Sequence, residues 1–269
     1  MRVLDKKIND LVVRVIENAT SEYKAHEQAW PYDFADLEVR EVMAGMLSRQ
    51  ISLMRHLSCS PASWNWDIAP LFLRPMVEIV LNMAWIAKEP LARSRAFIAY
   101  GLGQEKLQVE HMKSTLVGLD VEDQAEYTDA IEHRERWIAE QRYPFLVEVN
   151  VGAWAESQFK MAQESGELSL YHHCYGPYSG CVHSMWHHVA KYNLQVCKNP
   201  LHRHHRVANL KEFPGDFHSV YLAVKYLHRA FMVLRRSFNL KVDHEPTFAV
   251  LRREISELSK SDATEPQIE

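Results

Sequence analysis

Glycine is scarce, with nine in a chain of 269 residues. A fold with many tight β-turns relies on glycine for positive φ, so this shortage disfavours one. No unbroken apolar run reaches the roughly 18 residues a membrane span needs. Charges are mixed into the apolar residues from the start of the chain, so no signal peptide is visible. Cysteine is limited to Cys59, Cys174, Cys181 and Cys197. None of these makes a Cys-x-x-Cys pair, which excludes a zinc ribbon or a thioredoxin motif. They read as reduced thiols of a cytoplasmic protein. There is no Gly-x-x-x-x-Gly-Lys loop, no Gly-x-Gly-x-x-Gly and no Gly-x-Ser-x-Gly elbow, so the common nucleotide-binding and hydrolase classes are removed. Neither His-Glu-x-x-His nor the Glu-x-x-His of helical di-iron sites occurs. A net charge of −4 gives no general pull toward nucleic acid or anionic membrane.

What is present is helical periodicity, and it centres on Asp67 to Lys88. Most residues there are apolar on every side of a helical wheel, as in a helix buried at the middle of a bundle. Three polar residues interrupt the run: Arg74, Glu78 and Asn82. Their i, i+4 spacing puts them on one narrow stripe. A buried charge needs partners, and Arg74 and Glu78 can satisfy each other only in part. Asp67 reads as the N-cap of this helix. Pro75 predicts a kink or restart just after Arg74, and Lys88-Glu89-Pro90 ends the element.

Further helices are expected over 3–28, 34–57, 91–116, 122–141, 153–164, 216–238 and 245–258. Glu132 to Arg136 is an unbroken charged run, expected to form a solvated helix face. Tyr143-Pro144 and Val151-Gly152 flank a short irregular piece. Residues 197–215, with His202-Arg203-His204-His205-Arg206, read as a solvated loop, and no strand pattern stands out. The expected fold is all-α: one multi-helix domain over 1–258 around the buried central helix, then a polar tail over 259–269.

Histidine is abundant, at fifteen, and much of it falls between His172 and His205. Within that stretch Gly176-Pro177 reads as a helix start. From there Ser179, Val182, His183, Trp186, Val189 and Ala190 share one face, expected to point inward. Tyr175, Ser179 and His183 thus form a second polar stripe. If it meets the first, two readings follow. One is a satisfied polar core that fixes helix register. The other is an active site in which His183 is general acid or base, Arg74 holds a phosphate or carboxylate, Glu78 orients one of them, and Tyr175 and Ser179 donate hydrogen bonds. His183 and His187, at i, i+4, could share a metal ion. His172, His173, Cys174, Cys181 and His188 are close in sequence, but no acidic residue completes a known pattern. No metal or cofactor is therefore assigned.

Arg-x3-Glu in an apolar helix, followed about a hundred residues later by Tyr-x3-Ser-x3-His, resembles the microbial domain-of-unknown-function family five-six-seven-seven. Arg74 and Glu78 match its first motif; Tyr175, Ser179 and His183 match its second. The likeness covers about residues 60 to 235. It implies a helical fold and brings no established activity. Pro75 inside the first motif and the histidines after His183 depart from the pattern.

A helical ribonuclease of the HEPN kind is a further comparison, since those bundles carry Arg, four to six residues, then His. Arg49 to His56 has that spacing, but with 18 arginines and fifteen histidines about three such matches are expected by chance, so one carries no weight. Two functions are carried forward. The leading one is a cytoplasmic helical interaction module with a structural polar core, taking an unknown protein partner or a second copy of itself. The alternative is a metal-independent, HEPN-like enzyme on a phosphate-bearing substrate such as RNA, using His183 and Arg74.

Overall fold

A computed structural model describes residues 6–31, 33–116, 118, 120–141 and 153–264. The expected irregular piece between Tyr143-Pro144 and Val151-Gly152 lies outside them. In chain order the elements are α1 (Lys6–Ala29), a 3-10 turn (Phe34–Asp36), α2 (Leu37–Ser58), a 3-10 turn (Pro61–Ser63), α3 (Pro70–Ile86), α4 (Pro90–Leu116), α5 (Val121–Glu140) and α6 (Gln158–Ser165). Then come α7 (Leu168–Leu170), a π turn (Tyr171–Tyr175), α8 (Gly176–Val182), α9 (Trp186–Tyr192), β1 (Leu194–Val196), β2 (Arg206–Ala208), α10 (His218–Ser237) and α11 (Thr247–Thr264). The fold is all-α, with one two-stranded sheet among the described residues. None of the described helices is long and apolar enough to cross a membrane.

The chain groups into two compact units: Met1–Phe34, Met43–Lys88 and Gln158–Glu269 form one, and Ala35–Val42 and Glu89–Ser157 the other. In the first, α3 is the centre. Leu73, Met76, Val77, Val80, Leu81, Met83 and Ile86 on it are fully buried, because α10, α6, α8 and the π turn pack around it. Each such side chain contributes about 1.5–3 kcal/mol on leaving water. α10 supplies a matching apolar face of Val220, Ala223, Val224, Leu227, Ala230, Phe231 and Leu234. α1 packs on α11.

Several local expectations are corrected here. Asp67 does not cap α3; Asn65 Oδ1 accepts the N–H groups of Asp67 and Ile68, and the helix begins at Pro70. α3 does not restart after Arg74 but runs as one helix through Pro75. The carbonyl that Pro75 leaves without an N–H is that of Leu71, a residue 46% exposed near the helix start. Part of the expected loop over 197–215 is strand: Leu194 pairs Ala208, Gln195 pairs Val207 and Val196 pairs Arg206, antiparallel. Three-residue strands are too short to show a period. α11 continues to Thr264, past the expected end at Leu258.

In the second unit α4 and α5 pack around Val109, Ile131 and Ile138, with Met112 and Leu116 at the edge. The charged run does form an outer face, tied to α4 by Lys113–Glu135 at 2.7 Å and Arg134–Glu105 at 2.5 Å. Asp120 caps α5, its carboxylate accepting the Asp123 N–H at 3.3 Å.

Candidate functional site: a polar cluster on the central helix

Arg74 projects from α3 toward α8 and the π turn. Its Nε donates to Ser179 Oγ at 3.0 Å, and its Nη1 donates to Glu78. The guanidinium carbon lies 3.4 Å from the centroid of the Tyr175 ring, a cation–π contact. Ser179 Oγ donates in turn to the Tyr175 carbonyl at 2.8 Å. The other oxygen of Glu78 accepts from Gln158 Nε2 at 3.1 Å, and the same amide reaches Asn82 Oδ1 at 3.0 Å. Gln158 Oε1 is buried with no partner among the described residues. The Arg74 side chain is only 12% exposed and that of Glu78 36%, so the ion pair lies at the edge of the core. Burial pushes the Tyr175 phenol above its ordinary value, against the pull of Arg74 and with a further push from Glu78. Tyr175 is therefore a neutral hydroxyl at physiological pH.

The local backbone explains how Tyr175 and Ser179 arrive there. Gly176 and Pro177 open α8, as expected, with Pro177 in its first turn; a helical run that begins at Leu168 and widens into the π turn leads into them. Within that turn the Gly176 N–H donates to the Tyr171 carbonyl, five residues back. Tyr171 and Tyr175 stack, with centroids 5.0 Å apart. One turn later Ser179 faces Arg74. Behind it Tyr178 and Tyr226 share a hydroxyl–hydroxyl bond of 2.9 Å. Burial holds both phenols up, that of Tyr178 to about 12. Cys181 Sγ donates to the Asp67 carbonyl at 3.1 Å, and burial, then Asp67, raises its thiol to about 11. Asp67 also takes His188 Nε2 at 3.0 Å, so its role is to anchor α9.

His183 does not join this cluster. Its N–H closes the last turn of α8 on the Ser179 carbonyl at 3.0 Å. Ser184 then turns the chain at φ 48°, and α9 starts afresh at Trp186. The inward face expected over 179–190 is broken at that turn. His183 and His187 are exposed and Trp186 is 71% exposed. The His183 imidazole makes no hydrogen bond among the described residues. His187 instead lies over Gly180, where a Cβ would stand 2.1 Å from its Nε2. Of the five motif residues the structure thus joins Arg74, Glu78, Tyr175 and Ser179. Arg49 and His56 are both exposed on α2.

A family model described as a family of unknown function (DUF5677) matches residues 40–199. The chain belongs to that family. Both motifs fall inside the matched stretch, and with them all four joined residues of the cluster. No curated protein and no solved structure matches the chain.

Three further features lie outside the motifs read from the sequence. Gln158 is one, since a lone glutamine at a helix start has no periodic signal. The second is an open cleft of about 660 Å³ lined by Lys88, His228, Arg229 and Arg236 among others; its residues are scattered over the sequence, and Arg229 is already paired with Glu167. The third is a stretch without carboxylates. Between Glu167 and Glu212 there is no acidic residue, while Lys191, Lys198, Arg203, Arg206 and Lys211 are present.

Proposed function

We propose that this family member is a helical interaction protein. In this reading the Arg74 cluster locks the register of α3, α6 and α8, and the contact surface is the carboxylate-free stretch after Val182. The observation that carries it is where the exposed large apolar side chains fall. Val182, Met185, Trp186, Val196, Leu201, Val207 and Leu210 are all exposed, Leu201 at 87% and Leu210 at 96%. Trp, Met and Arg are the residue types enriched in protein interfaces, with Asp and Glu depleted. Two copies meeting through this cationic stretch would oppose like charges, which argues against self-association there. A protein partner with acidic and apolar groups fits better. The free thiols Cys59, Cys174, Cys181 and Cys197 suit a reducing, cytoplasmic setting.

A photo-crosslinking residue placed at Trp186, and for comparison at the exposed Trp137, tests this in the cells that make the protein. The expected result is one discrete protein adduct from position 186 and none from 137. Equal labelling from both positions, or RNA as the adduct at 186, would overturn the reading.

One observation favours the enzyme reading, a metal-independent HEPN-like ribonuclease. His183 is open to solvent one turn beyond Ser179, where a substrate could reach it. That chemistry also asks Arg74 to leave Ser179, Glu78 and the Tyr175 ring to meet a phosphate. RNA integrity in cells expressing the wild type or His183→Ala separates the two readings.

A further inference from the structure

From the geometry of the hairpin we infer a transition-metal site of the zinc class at Cys197, His202 and His205. The donor atoms of these three residues all lie within 4.8 Å of one another. Cys197 Sγ is 3.7 Å from His202 Nδ1. In a tetrahedral zinc site the bond lengths place a sulfur and a nitrogen ligand about 3.6 Å apart, so this pair is already spaced as ligands. The backbone fixes the other two. Cys197 and His205 continue the β1–β2 register, facing each other across the ladder, and the Cys197 N–H donates to the His205 carbonyl at 2.9 Å. His202 is brought back by the turn, the His205 N–H donating to its carbonyl at 3.2 Å. His204 adopts φ 61°, an unusual conformation for a side-chain-bearing residue, which the tight return requires.

The donor set selects the ion. One thiolate and two imidazoles suit zinc and its softer neighbours, whereas magnesium and calcium need oxygen ligands. No carboxylate lies in this stretch of sequence to favour the harder ions. Three protein ligands leave a fourth position for water or for a partner's side chain. One contact changes on loading. His202 Nε2 now faces Asn199 Nδ2 at 3.2 Å; with the metal on Nδ1, Nε2 carries the proton, and the amide must present an acceptor instead. The site also answers a question of stability. A two-stranded hairpin is marginal in water, and this one is largely exposed, with all of β2 open to solvent. A metal bridging Cys197, His205 and the intervening loop would staple it.

Cobalt(II), a spectroscopic stand-in for zinc, tests the site in the reduced, metal-stripped full-length protein. The expected result is one ion per chain with a thiolate-to-cobalt charge-transfer band that zinc displaces. Cys197→Ser should remove the band, His205→Ala should weaken binding by about tenfold or more, and Cys59→Ser should change neither. Zinc should also slow proteolysis within 198–205 in the wild type. Because these side chains lie on the hairpin, the metal-free variants should melt with the metal-free wild type. Absence of the band, or its survival in Cys197→Ser, would overturn the assignment, as would wild-type affinity in His205→Ala.

Discussion

Arg74 shows how far a single residue can be read. A charge in an otherwise apolar helix had to be paired, and Glu78 and Asn82 at i, i+4 spacing marked the stripe that shares its surroundings. What the spacing did not reveal was Gln158, nor a second buried knot in the first unit. There Glu22, only 1% exposed, accepts the Thr247 N–H and Oγ1, both at 2.7 Å. His26, equally buried, donates from Nδ1 to the Glu22 carbonyl at 2.7 Å, accepts from Arg235 Nε at 2.8 Å and stacks on Phe231. Those bonds need the neutral ring. Burial first, with Arg235 adding to it, holds His26 below its ordinary value of 6.5, against the Glu22 hydrogen bond; His228 is lowered too, chiefly by burial. The unfolded chain therefore binds more protons than the folded one below about pH 6.5. The stability held by the neutral rings is complete above that pH and is lost as pH falls through the depressed folded values. Urea midpoints measured from pH 8 down to 5 should decline, and His26→Gln should flatten the decline at some cost in stability at pH 8. An unchanged slope in His26→Gln would show that this ring has no part in the pH dependence.

At the scale of elements, legibility depended on length and on stops. Long amphipathic helices such as α1 and α10 were readable from their period. α6 ended where Ser165-Gly166 said it would: Gly166 sits at φ 80°, the Glu167 N–H reaches the Ala162 carbonyl at 2.7 Å, and the Gly166 N–H reaches that of Gln163 at 3.3 Å. This is a Schellman closure, in which glycine accepts the left-handed conformation without a Cβ clash. Gly166→Ala should cost about 1–2 kcal/mol, read as a lower denaturant midpoint with an unchanged slope; a midpoint equal to the wild type would contradict that role. The failures came where elements are short. The apolar period from Ser179 to Ala190 fails first at Val182 and His183, exposed at the end of α8, and then at Ser184, whose positive φ restarts the helix with Trp186 outward. The hairpin strands are three residues each, below the length at which alternation can be recognised.

Across the whole molecule, a helical fold was implied by one segment apolar around most of its helical wheel, while the division into two compact units was not. Among the described residues the second unit has a core cluster of Val109, Ile131 and Ile138, bordered by ion pairs on α4 and α5, and a charged sequence gives little warning of such a core. The Arg74 cluster ties α3 to α6, α8 and the π turn, and the His183 side chain stands apart from it. Unfolding free energies of the wild type, Arg74→Met and His183→Ala, with RNA integrity followed in cells expressing each, test this most directly. Arg74→Met should lose about 2–3 kcal/mol, since Glu78 and Ser179 lose their partner at the edge of the core. His183→Ala should stay within about 0.5 kcal/mol of the wild type, and RNA should remain intact throughout. RNA fragmentation by the wild type that disappears in an equally stable His183→Ala, with Arg74→Met folding as firmly as the wild type, would contradict it.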